Sequence, residues 1–159
     1  MQSLSFAVLK QNYPRKIDVD HDALFREIGW DDLIGNPAYE NTCATRVSLA
    51  LIRSGITIPG GRIAIKKGPF KGQMIEPGQD KLSHILATRS MFGSPEKFST
   101  KQAESSIGLR SGIVSFFRLI PGVYEHGHID IVSPQLGGIR VCGTGCYWSS
   151  REIWFWPLI

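Results

Sequence analysis

The stretch 41–55, NTCATRVSLALIRSG, places Cys43 directly behind Asn41 and Thr42 and in register with Val47, Ala50, Leu51 and Ser54 at helical spacing. Asn41 or Thr42 can cap such a helix and Gly55 can end it. A thiol at a helix N-terminus meets unpaired N–H groups and a partial positive charge, which stabilise the thiolate that acts as a nucleophile. N–H groups around the same turn could also hold the oxyanion of a tetrahedral intermediate. The competing reading is that Cys43 is a small hydrophobe on an apolar helical face, the commoner fate of a free cysteine. The helix alone leaves both open.

A cysteine nucleophile needs a base, and the segment EHGHIDIV offers His126 and His128. His128 lies within an alternating run that reads as a strand, where packing can hold the ring, whereas His126 precedes Gly127 in a turn. His128 is therefore the favoured base. Asp130 falls two residues further on, on the same strand face, and can help to orient the imidazole, although the spacing does not guarantee a direct bond. Cys142 and Cys146 form C-x-x-x-C in VCGTGCYW, and a loop of that size could bring them within disulfide reach. Zinc is the rival for that pair, but no second pair of cysteines or histidines stands nearby, so the metal signal is weak.

These residues need a helix to carry Cys43 and a sheet to carry His128. The N-terminal third reads as helix and loop, with Phe6, Val8 and Leu9, a break at Tyr13-Pro14, and a second helix behind Asp20. The region from Ile56 to Gln79 reads as an excursion over the surface, because glycine, proline and lysine interrupt its apolar pieces. A further helix is expected over 80–91, with His84 off its apolar stripe and exposed, and a short one near 99–106. The period then changes to that of strands at 112–120, 127–132, 138–142 and 152–158, with a turn at 133–137. The expected fold class is α+β, N-terminal helices packed on an antiparallel four-stranded meander, with residues 1–159 as a single domain.

Composition narrows the partners. The 159 residues are 42% hydrophobic and 20% charged, ordinary for a globular chain, with a net charge of +4 that selects no particular partner. The densest basic stretch, RIAIKKGPFK at 62–71, lacks the aromatic interleaving of a nucleic-acid platform. Neither nucleic-acid binding nor membrane insertion is expected. The N-terminus has no basic leader and too short an apolar run for a Sec signal, so action outside the cytoplasm would need another carrier.

The Asn-x-Cys helix start with Arg46 and Ser48, the later GHIDIV strand and the C-x-x-x-C pair together resemble family 4 of the type VI secretion amidase effectors, from about Asn36 to the closing IWFWPL. The resemblance implies a papain-like, NlpC-type fold and a toxin that cuts peptidoglycan stems between D-glutamate and meso-diaminopimelate in the periplasm of the recipient. It implies Cys43 as nucleophile, His128 as base, a disulfide between Cys142 and Cys146, and no metal or organic cofactor. It also implies delivery by a component of the secretion apparatus and a cognate immunity protein. The family's third catalytic residue is an aspartate between the paired cysteines, where this chain has Thr144. Threonine supplies no negative charge, so either Asp130 takes that role or the site is a dyad. The alternatives are a papain-like amidase with another substrate, such as a phage lysin or a protein deamidase, and a non-catalytic wall-binding module.

Overall fold

The β-branched and aromatic runs of the C-terminal half pair as one antiparallel sheet. A computed structural model describes residues 1–120, 122–123, 126–135 and 140–159. Its main strands are β3 (Glu96–Ser99), β4 (Gly112–Phe117), β5 (His128–Pro134), β6 (Arg140–Cys142) and β7 (Glu152–Pro157), in the order β3-β7-β4-β5-β6. The first three consecutive strands, β4, β5 and β6, form the expected meander. β7 then returns to the far side of β4 and carries β3 on its outer edge, so the sheet has five strands rather than four. β3 escapes a pattern reading because it is a four-residue edge, EKFS, with no fully buried residue. Of the expected strand at 138–142, residues 138–139 lie outside the described residues, as do 136–137 of the turn before it.

The β5–β6 pairing begins only at Val132. The stretch of β5 holding His128 and Asp130 therefore has β4 on one side and no strand on the other among the described residues. That open edge is where the site assembles.

Ile129 and Ile131 of β5 pack with Ile113, Trp154 and Trp156 into the larger core, against the helices. Val114, Phe116, Val132, Ile153 and Phe155 form a second core with Ala103 and Ile107 of α5 (Thr100–Ile107). α1 (Phe6–Asn12) and α2 (His21–Glu27) are capped by Ser5 and Asp20, whose side chains accept from Val8 N and Ala23 N. α3 (Cys43–Arg53) is buried from Cys43 through Ile52, on every side rather than on one stripe. α1, β5, β2 (Met74–Ile75) and α4 (Gln79–Leu86) surround it.

Two expectations change here. The region 56–79 is not a surface excursion, since Ile56, Ile58, Ile65 and Ile75 are buried and β1 (Ile63–Ala64) pairs with β2. Its glycines and proline turn a chain that repeatedly dips into the core. α4 stops at Leu86 instead of continuing to Met91, because turns closed by Phe92 N to Leu86 O and Gly93 N to Thr88 O take over. Met91 is still buried, so its apolar character was informative while its helical register was not.

A helix buried on all sides must satisfy its polar residues internally. Ser48 Oγ donates to Glu76 O at 3.1 Å and accepts from Glu76 N at 3.3 Å. Arg46, fully buried, donates from Nε to Thr42 Oγ1 and from Nη1 to Pro14 O and Val19 O, each at 2.8 Å. One guanidinium thus ties α3 to the loop joining α1 and α2. Arg46→Ala strips two buried carbonyls and a hydroxyl of their donor and opens a cavity, so a loss of about 3 kcal/mol is expected in chemical unfolding. A midpoint unchanged from the wild type would show that the guanidinium does not hold the loop.

Candidate active site

Cys43 is the first residue of α3, 4% exposed, and the free cysteine of the described chain. Asn41, not Thr42, caps it: Asn41 Oδ1 accepts from Cys43 N at 3.0 Å. Thr42 makes no cap because its hydroxyl accepts from Arg46 Nε. Cys43's own N–H is therefore already engaged, which narrows the expectation that N–H groups of this turn would serve an oxyanion.

His128 and Asp130 are brought together directly. His128 Nε2 donates to Asp130 Oδ2 at 2.8 Å, across the i, i+2 spacing that sequence alone did not guarantee. This leaves Nδ1 as the ring nitrogen not engaged by Asp130, and Cys43 lies near enough to favour the protonated ring. The ring stacks on Phe116 at 6.1 Å between centroids and meets Tyr147 edge-on at 4.9 Å. Packing thus limits its rotation while hydrogen bonds set its tautomer.

Asp130 is fully buried, and its cost of burial is met by donors on both oxygens. Oδ1 accepts from Ile131 N at 2.8 Å and from Tyr13 OH at 3.2 Å. Oδ2 accepts, besides His128, from Thr144 N at 2.8 Å, Thr144 Oγ1 at 2.9 Å and Gly145 N at 3.2 Å. Burial, followed by the Asp130 carboxylate, pushes the Tyr13 hydroxyl far above its ordinary range, so it remains a donor.

The loop supplying three of those donors is closed by a disulfide between Cys142 and Cys146, whose Cα atoms are 5.3 Å apart. Gly143 is required by close approach: a Cβ there would stand 2.5 Å from Asp130 Oδ1 and 2.7 Å from the Tyr13 ring. Thr144, at the position where the resemblance places an aspartate, donates to the strand carboxylate and lies 3.1 Å from His128 Nε2. His126 is exposed and lines the groove beside Cys43, apart from this cluster. His84 has an exposed side chain, as expected, and meets Trp154 edge-on. Tyr13 was legible only as part of a chain break, since its role comes from a partner 117 residues away. Among the described residues no group of three or more His, Cys, Asp or Glu could hold a metal ion, and no helix is long and apolar enough to cross a membrane.

The electrostatics favour a protonated ring. Burial pushes the His128 imidazole toward the neutral form, but hydrogen bonds with Asp130 and Cys43 outweigh it and raise the pKa to about 9 from 6.5. A folded pKa above the unfolded one means that this contribution to stability is fully present below pH 6.5 and lost as pH rises through about 9. Ring proton NMR should therefore place the His128 titration near 9 and that of Asp130→Asn clearly lower. An unchanged titration in the variant would remove Asp130 as the cause.

The family described as "Type VI secretion system (T6SS), amidase effector protein 4" matches this chain over residues 39–156. No curated protein sequence matches it. Among solved structures, the effector Tae4 from Enterobacter cloacae superposes with a TM-score of 0.76 at 16% identity, covering 99% of this chain and 98% of that one. The Tae4-Tai4 effector-immunity complex from the same organism gives 0.76 at 16% identity, covering 99% and 100%. The corresponding complex from Salmonella Typhimurium gives 0.72 at 16% identity over the same shares. The fold is thus the α+β, papain-like NlpC type, and the chain belongs to the type VI secretion system amidase effector 4 family.

Proposed function

We propose that this amidase effector hydrolyses the peptide stem of peptidoglycan at the bond between D-glutamate and meso-diaminopimelate, with Cys43 as nucleophile, His128 as acid and base, and Asp130 as the group that orients His128. The observation that carries this reading is the buried Asp130–His128 hydrogen bond, 2.8 Å, on an imidazole that lines one groove with the thiol at the start of α3. Cys43 Sγ, its proton already held on His128 Nδ1, attacks the D-glutamyl γ-carbonyl. The imidazolium then protonates the departing diaminopimelate amine as the C–N bond breaks, leaving a thioester. Water, deprotonated by the same nitrogen, attacks that thioester and restores the thiol and the free γ-carboxyl group. Asp130 stabilises the imidazolium that opens the cycle and re-forms when water is deprotonated.

Membership in the effector family supports secretion, and we place the action in the periplasm of the recipient, where a Cys142–Cys146 disulfide is chemically favoured. Two of the similar solved structures are effector-immunity complexes, which supports a cognate immunity protein for this chain. Mass spectrometry of digested peptidoglycan tests the whole reading. The expected products end in γ-D-glutamate on one side and begin with diaminopimelate on the other, and Cys43→Ala should reduce their formation about a thousandfold or more at unchanged melting temperature. Cleavage at another bond, or substantial turnover by Cys43→Ala, would refute it.

A further inference from the structure

Two grooves meet at Cys43, and Asn41, Cys43 and Gly127 line both. The first is the more basic. Arg62, Lys81, Lys97, Arg118 and Arg151 line the first, against Asp80 and Glu152. In the second, Asp22, which meets His21 Nδ1 at 2.9 Å, and Glu40 stand with Lys16 and the His128 ring.

The cations of the first groove are not equivalent. Arg62 and Lys81 are committed to Glu76, a fully buried carboxylate whose Oε2 lies 2.7 Å from Arg62 Nη2 and whose Oε1 lies 3.6 Å from Lys81 Nζ. Lys97 rests its ammonium over the Trp154 ring at 4.4 Å. Neither Lys97 nor Arg151 has a carboxylate partner among the described residues. Both are exposed at the groove wall, where binding an anion costs little desolvation.

A γ-linked D-glutamate keeps its α-carboxylate free on the acyl side of the scissile carbonyl, with no ammonium beside it, whereas the far end of the leaving diaminopimelate is a zwitterion of ammonium and carboxylate. We infer that the Lys97 and Arg151 groove takes the acyl side of the stem by binding this α-carboxylate, which leaves the second groove to the leaving side. This rests on the proposed function and gives it a direction and a selectivity: a stem with a free α-carboxylate is preferred to one in which that group is a carboxamide. A carboxamide keeps the shape of the group and loses the charge that two cations attract.

The test compares kcat/KM for two stem peptides that differ only in carrying D-glutamate or D-isoglutamine. The wild type should prefer the carboxylate by about tenfold or more. The double variant Lys97→Gln/Arg151→Gln should lose that preference to within about twofold, with the larger fall in kcat/KM on the carboxylate stem. A wild type indifferent to the substitution, or a variant that keeps the full preference, overturns the inference. A variant sensitive instead to amidation of diaminopimelate reverses the direction and overturns it as well. A wild type that cuts neither stem yet cuts another amide refutes the proposed function and the inference with it.

Discussion

A carboxylate with no access to solvent is tolerated only where the fold surrounds it with donors, and Asp130 is that carboxylate here. Its donors come from distant parts of the chain: Tyr13 after α1, the neighbouring Ile131 N–H, His128, and Thr144 and Gly145 of the disulfide loop. Removing any one leaves a charge less well compensated, so the N-terminal helix, the sheet and the loop are coupled through two oxygen atoms. The same demand explains why β6 pairs with β5 only from Val132, since a longer β6 would occupy the edge that these donors reach.

The short disulfide loop is best understood as local geometry. Stabilisation by a crosslink grows with the length of the loop it closes, and only four positions separate Cys142 from Cys146. What the crosslink gains is placement: the Thr144 and Gly145 N–H groups point at Asp130 Oδ2, and Gly143 leaves no side chain between. The resemblance implies a loop that itself provides an aspartate. In this chain the loop provides donors and the strand provides the charge, an exchange of partners across one hydrogen-bonded contact.

Much of this arrangement was legible in the sequence because it follows local rules. Helical spacing behind Asn41 located Cys43 at a helix start, and alternation in GHIDIV put His128 and Asp130 on one strand face. What escaped were consequences of long-range contact. β3 is too short and polar to announce itself, β7 is displaced by topology from the end of a meander to the interior of the sheet between β3 and β4, and Ile56, Ile58, Ile65 and Ile75 are buried by what surrounds them. Thr144 was judged by the charge it lacks, whereas its backbone N–H and hydroxyl matter to a carboxylate 14 residues earlier. Tyr13 and Arg46 have no local signature for their roles, because their partners lie across the fold.

The central claim is that the charge on Asp130 makes His128 a competent partner for Cys43, and that Thr144 acts only through Asp130. Steady-state turnover of Asp130→Asn and Thr144→Val on the same muropeptide tests this most directly. Asp130→Asn should lower kcat by about a thousandfold or more with little change in KM, as expected for an interaction that strengthens when the imidazolium forms. Thr144→Val keeps the backbone donor and should cost about tenfold or less. Near-normal turnover by Asp130→Asn, or a loss in Thr144→Val as large as that in Asp130→Asn, would contradict the account.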